Sequence, residues 1–309
     1  MDIVKKFGRI LLPMITPFNE DFSVNYEIAR KVASYLVEKN YCDTLIVAGT
    51  TGEFHSISFE ERVKLFEEIK DEVGDKVPLI AGTGAVTTKE TIELTKEAEK
   101  LGYDAAMIVV PYYCHPTQEG IYQHFKEIAK KTSLPLIIYN IPLFVNMSIA
   151  PETVGRLSEI DNIVAVKDEA GLNPLQTSEF IKKSKGRLSV YSGDDVMVLQ
   201  VLSQGGVGVV SGGAHVVGDI IRDMIDSFLT GKTERSIKLF QLLYDVFKSF
   251  FGISDTRVNP TPGVKMALEI ESGLPVSRTR LPLLTYSEED RNFIKEILEK
   301  ARKAYSELE

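Results

Sequence analysis

Hydrophobic residues fall into two patterns that alternate along the chain. Short, nearly continuous apolar runs rich in β-branched residues occur at Ile10–Thr16, Thr44–Ala48, Pro78–Gly82, Ala105–Val110, Leu134–Tyr139, Ile163–Lys167, Leu188–Ser192 and Val207–Ser211. Runs that are apolar at successive positions, rather than at every second one, suit parallel strands buried on both faces. Between them, apolar residues recur at helical intervals. Examples are Ile28, Val32, Tyr35 and Leu36 within Val24–Lys39, and Val63, Phe66 and Ile69 within Phe59–Val73. Thr88–Leu101 and Gly120–Lys131 follow the same pattern. Strand followed by helix, repeated eight times, predicts an α/β fold: a (β/α)8 TIM barrel over residues 1–231. A doubly wound open sheet is the rival, and the regularity of the units favours closure. Residues 232–309 read as helical at Glu234–Phe251, Gly263–Glu271 and Glu288–Leu308, and are expected to form a C-terminal helical extension packed on the barrel.

Composition narrows the possible functions. Hydrophobic residues make up 44% of the 309 positions, enough for a large core. Lys and Arg number 36 against 44 Asp and Glu, for a net charge of −8, and no local basic patch stands out, so no nucleic acid partner is expected. No apolar run approaches the ~18 residues of a membrane span, and Met1–Pro13 lacks the apolar core and cleavage site of a signal peptide. A cytoplasmic protein without membrane association is expected. Cys42 and Cys114 are too few for a disulfide framework, and the four histidines lack metal-ligand spacing, so no metal site is expected. The plain reading of Cys114 is a buried or interface thiol.

In such a barrel, chemistry sits at the C-terminal ends of the strands. Those ends carry Thr16, Gly49-Thr50-Thr51-Gly52-Glu53, Pro111-Tyr112-Tyr113, Tyr139-Asn140-Ile141-Pro142, Lys167-Asp168-Glu169, Ser192-Gly193-Asp194-Asp195 and Ser211-Gly212-Gly213. A strand-end lysine such as Lys167 more often simply reaches water. Held in a poorly solvated mouth, its ammonium form would be disfavoured and the amine would become a Schiff-base nucleophile. Lys265 also lies among apolar residues, but on a helix outside the barrel, and is set aside. Gly49–Gly52 is either an ordinary glycine turn or a small-anion site. It has neither the length nor the lysine of a nucleotide loop, so a carboxylate fits better. Tyr113 and Tyr139 are each read most simply as core tyrosines; together with Lys167 and the threonine pair they suit a proton relay. Asp194 and Asp195 read as a helix N-cap and first-turn carboxylate rather than a metal pair.

The ordered set Gly-Thr-Thr-Gly-Glu, Pro-Tyr-Tyr, Tyr-Asn-Ile-Pro, Val-Lys and Ser-Gly-Asp-Asp resembles the dihydrodipicolinate synthase/N-acetylneuraminate lyase superfamily of class I pyruvate aldolases. The resemblance extends to Asn259–Lys265 and Arg280–Leu284. It implies that Lys167 forms an imine with a 2-keto acid, that Tyr139 shuttles the proton, and that Thr50 and Tyr113 continue the relay. It also implies that Thr51 and Gly49 hold the carboxylate and that Gly193 and Val210 line the pocket. Tyr113 would come from a neighbouring subunit of a homotetramer, a dimer of dimers, and no cofactor is required.

Within the superfamily, dihydrodipicolinate synthases carry an arginine two residues after the proline of Tyr-Asn-x-Pro, where it binds the carboxylate of aspartate semialdehyde. Here that residue is Phe144. A charge-assisted bond is worth about 1.5–3 kcal/mol, so its loss points to an uncharged aldehyde, with Asp168, Glu169 or Asn140 binding hydroxyls. The expected activity is therefore cleavage of the non-phosphorylated sugar acid 2-keto-3-deoxygluconate to pyruvate and glyceraldehyde. The alternative is 4-hydroxy-tetrahydrodipicolinate synthase, which condenses pyruvate with aspartate semialdehyde. A non-catalytic sugar-acid binding protein on the same scaffold is the alternative of another class.

Overall fold

Eight parallel strands pair in chain order and the last closes on the first. The computed structural model describes residues 2–170, 173, 175–253 and 259–308. In chain order the first half runs α1 (Ile3–Phe7), β1 (Ile10–Pro13), α2 (Tyr26–Glu38), β2 (Thr44–Val47), α3 (Phe59–Val73), β3 (Leu79–Gly82), α4 (Thr88–Lys100), β4 (Ala105–Val109) and α5 (Gln118–Ala129). It continues with β5 (Leu136–Asn140), α6 (Pro142–Val145), α7 (Pro151–Leu157), β6 (Ile163–Asp168), α8 (Gln176–Lys183), β7 (Ser189–Ser192), α9 (Val198–Ser203), β8 (Gly208–Val210) and α10 (Ala214–Leu229). Three further helices follow: α11 (Thr233–Ser249), α12 (Thr261–Ser272) and α13 (Glu288–Ser306). Among the described residues, no helix is long and apolar enough to cross a membrane.

The strands form where the apolar runs lie because each position is buried on one sheet face or the other. Of the strand residues, all but Val164 and Ser189 are buried. Closure occurs through Ile10↔Val209 and Leu11↔Val210. Gly208 makes this possible, because a Cβ there would collide with the backbone of Arg9. At the strand starts, the Asp43 carboxylate accepts from the N–H groups of Arg9 and Ile10 at 2.7 and 2.9 Å, satisfying backbone donors that would otherwise be orphaned. Helix α1 was not anticipated. Asp2 caps it, it buries Ile3 and Phe7, and hydroxyls of Thr44 and Tyr191 donate to the carbonyls of Phe7 and Gly8.

Packing divides the chain into two compact units. One comprises Met1–Leu11, Asp43–Val47 and Gly74–Val210; the other comprises Leu12–Cys42, Ala48–Val73 and Ser211–Glu309. Within the second, α10 to α13 pack on one another. Arg235 of α11 forks onto Asp223 of α10, and Arg302 of α13 pairs with Asp219 while donating to Tyr41. Ser287 and Asp290 form a reciprocal cap at the start of α13.

Candidate active site

The adjacent strands β5 and β6 set the geometry. Their register places Tyr139 opposite Lys167 and Asn140 opposite Asp168. Side chains alternate faces along a strand, so the two pairs occupy opposite faces of the sheet. On the first face, Lys167 is only 4% exposed, and its Nζ lies 3.8 Å from the centroid of the Tyr139 ring. An ammonium over an aromatic face is attracted by the ring quadrupole, which fixes the long side chain. Glu169, two residues on, returns to this face. Its Oε2 stands 3.1 Å from Lys167 Nζ and accepts from Tyr139 OH at 2.8 Å.

Gly193, just after β7, leaves the space that this cluster needs. A Cβ there would lie 2.7 Å from Glu169 Cβ and 2.9 Å from Lys167 Cε. Its N–H donates to Asp168 O at 2.7 Å, holding the turn against β6. The structure thus brings Lys167, Tyr139 and Gly193 together. Val210 ends β8, buried. Asp194 caps the short 3-10 turn Asp195–Met197 through Val196 N–H, as expected. Burial and the Glu169 charge push its carboxyl up to about 6, while the Val196 N–H and Lys167 oppose the shift.

Asp168 departs from expectation. The sequence places it among the hydroxyl-binding groups, whereas in the structure it lies on the face opposite Lys167 and accepts from Asn140 Nδ2 at 2.9 Å. Asn140 in turn accepts from Ile149 N–H, so this pair fastens the loop after β5 to the sheet. Burial and the Glu169 charge raise the Asp168 carboxyl to about 7, against the opposing Asn140 hydrogen bond. The folded state therefore holds this proton more tightly than the unfolded chain does, and stability falls as pH rises from about 4 to about 7. Asp168→Asn is expected to melt above wild type at pH 8 and to converge with it near pH 4, the difference bounded by about 4 kcal/mol. Parallel melting curves across this range would show that Asp168 does not titrate there.

The Gly49–Gly52 turn belongs to the second unit. It is closed by Glu53 N–H to Thr50 O at 2.9 Å and Phe54 N–H to Gly49 O at 3.3 Å. Gly52 is wedged in place: a Cβ would meet Met14 O at 2.9 Å and Ala48 Cα at 3.2 Å. Thr16 Oγ1 donates to Gly52 O at 2.7 Å. Thr50 and Thr51 are thus carried on a fixed backbone.

What fixes that backbone is the lysine set aside in the sequence. Lys265, on α12, is fully buried and pairs at 2.6 Å with the equally buried Glu53. It also donates to Thr16 O at 2.9 Å and sits 4.4 Å from the Phe18 ring. Burial pulls its amine down to about 8, against the opposing pull of Glu53. The other Glu53 oxygen accepts from Arg280 N–H, and the Arg280 guanidinium grips Glu61 at 2.6 and 2.8 Å. The signal for this partnership was the lysine itself, because a buried lysine requires an acid.

Two candidates are exposed. Tyr113 is 88% exposed, so within one chain it is not packed beside the buried Lys167. Phe144 sits on α6 and is 36% exposed. Neither cysteine is in a disulfide; Cys42 is buried, while Cys114 is exposed rather than buried within the chain. Among the described residues, no group of three or more His, Cys, Asp or Glu is placed to hold a metal ion. Buried His215 bridges Gly212 O and Ile15 N–H, and burial lowers it to about 4.

Residues 6–301 match the model of the dihydrodipicolinate synthetase family. The chain is 43% identical over 296 residues to the 4-hydroxy-tetrahydrodipicolinate synthase of Desulforudis audaxviator, covering 96% of this chain and 98% of that protein. It is 44% identical over 286 residues to the Bacillus subtilis protein of the same name, covering 92% and 96%. The crystal structure of a Bacillus anthracis dihydrodipicolinate synthase superposes with a TM-score of 0.89 at 42% identity, covering 95% of this chain and 98% of that one.

These relatives overturn the expected 2-keto-3-deoxygluconate cleavage. That expectation rested chiefly on Phe144. One absent cation at a partly exposed position changes affinity for one substrate by roughly ten- to a hundred-fold; it does not change which reaction the lysine performs.

Proposed function

Because the chain belongs to the dihydrodipicolinate synthetase family of pyruvate-dependent class I lyases, we propose that it is a 4-hydroxy-tetrahydrodipicolinate synthase condensing pyruvate with aspartate semialdehyde. The observation that carries this reading is the buried Lys167 amine held on the Tyr139 ring. Lys167 attacks the pyruvate ketone, water leaves, and the iminium draws electrons from C3. Loss of a C3 proton gives the enamine, whose C3 attacks the aldehyde carbon. Tyr139 delivers the proton to the resulting alkoxide. The amine of the bound semialdehyde then attacks the imine carbon, closes the ring and frees Lys167. Thr51 and the N–H groups around Gly49 hold the pyruvate carboxylate, and Thr50 and Tyr113 extend the relay. The exposure of Tyr113 suits insertion into a neighbour's site in a homotetramer.

Borohydride reduction in the presence of pyruvate is expected to trap a covalent adduct that Lys167→Ala abolishes. Wild type is expected to consume aspartate semialdehyde only when pyruvate is present. Absence of the adduct overturns the imine, and an adduct without semialdehyde consumption overturns the acceptor.

Phe144→Arg places a guanidinium where the resemblance puts the carboxylate-binding arginine. It is expected to lower KM for aspartate semialdehyde about ten-fold or more while leaving KM for pyruvate within about two-fold. Equal changes in both constants, or none, would detach position 144 from the acceptor.

A further inference from the structure

We propose that Glu169 is a catalytic acid–base of the imine-forming half of the reaction, taking the Lys167 ammonium proton and returning it to the departing hydroxyl. The proposal rests on the Lys167 imine proposed above.

Three observations place Glu169 there. Its Oε2 contacts both Lys167 Nζ, at 3.1 Å, and Tyr139 OH, at 2.8 Å. Its backbone is pinned because Glu169 N–H donates to Asn140 O at 2.9 Å, which continues the β5–β6 ladder beyond the last register pair. Its side chain has the room left by Gly193, where any Cβ would press on both Glu169 and Lys167. The neighbouring carboxylates are engaged differently: Asp168 accepts from Asn140 on the far face, and Asp194 caps Val196 N–H.

The chemistry needs such a group. A lysine attacks only as the free amine, because its ammonium form has no lone pair. Proton transfer from Lys167 Nζ to Glu169 Oε2 creates the amine and the neutral acid. The amine forms the C–N bond as the ketone π pair moves to oxygen, and a proton passes from nitrogen to that oxygen to give the carbinolamine. Glu169 then protonates the hydroxyl, the C–O bond breaks, and water leaves. The products are the iminium and the regenerated carboxylate, so the overall change is loss of one water. Glu169 is 25% exposed along its side chain against 6% for Lys167, so it also joins the buried amine to solvent protons.

The test is rapid-quench borohydride trapping with pyruvate alone, using the full chain from pH 5.5 to 9. Glu169→Gln, nearly isosteric, is expected to slow adduct formation about 100-fold and to remove the acidic limb of the rate profile. The final extent of adduct should be unchanged. Glu169→Asp should recover about ten-fold of that loss, and added formate should accelerate Glu169→Ala. Trapping in Glu169→Gln within about three-fold of wild type, with an unaltered profile, overturns the proposal. So does an equal loss in all three variants without formate rescue, which is the signature of a structural role. If wild type forms no adduct, the Lys167 imine fails too; if only the variants match wild type, Glu169 alone is displaced.

Discussion

Lys265→Met is expected to destabilise the fold by about 3–5 kcal/mol, read as a lowered urea midpoint. The reason is asymmetry. The intact pair with Glu53 contributes little net stability, because burying two charges costs about as much as their attraction returns. Removing only the lysine leaves Glu53 fully buried with no counter-ion on Oε1, while Oε2 keeps just the Arg280 N–H. Thr16 O loses a donor at the same time. Lys265→Met combined with Glu53→Gln removes both charges and is expected to recover at least half of the loss. A double variant whose loss equals the sum of the single losses would show that the two residues are not coupled. The same substitution carries a functional readout. Glu53 ends the Gly49–Gly52 turn, so its displacement should raise KM for pyruvate if that turn holds the carboxylate.

The barrel was legible because parallel strands buried on both faces are apolar at nearly every position, and all eight runs became strands. The ends shifted where polar residues continued the ladder: β5 runs on to Asn140 and β6 to Asp168. Helix α1 was missed because five residues are too few to show a helical period, although Asp2 supplied its cap. In the site, Lys167 and Tyr139 were legible from their places at strand ends. The parity of β6 also distinguishes Asp168 from Glu169, since only the latter shares a face with Lys167, although both follow the lysine directly. The Glu53–Lys265 pair lies 212 residues apart in the chain, and only the buried lysine hinted at it. Phe144 misled because the absence of one cation, a matter of affinity for one substrate, was taken to choose the reaction.

Tyr139→Phe is expected to lower kcat for condensation by about 10²–10⁴-fold while still forming the pyruvate imine. The substitution separates two roles of one side chain. The ring remains, so the aromatic face 3.8 Å from Lys167 Nζ continues to hold the amine. The hydroxyl disappears, and with it the proton donor now directed at Glu169 Oε2. Borohydride trapping should therefore proceed at near the wild-type rate, while the step that protonates the aldehyde-derived alkoxide slows. Glu169→Gln should give the converse, slow trapping. Two residues sharing one hydrogen bond would then be resolved into two steps, with Glu169 serving the imine and Tyr139 the carbon–carbon bond. Turnover of Tyr139→Phe within a few-fold of wild type would remove the phenol from the proton path and leave the ring as the only contribution of Tyr139.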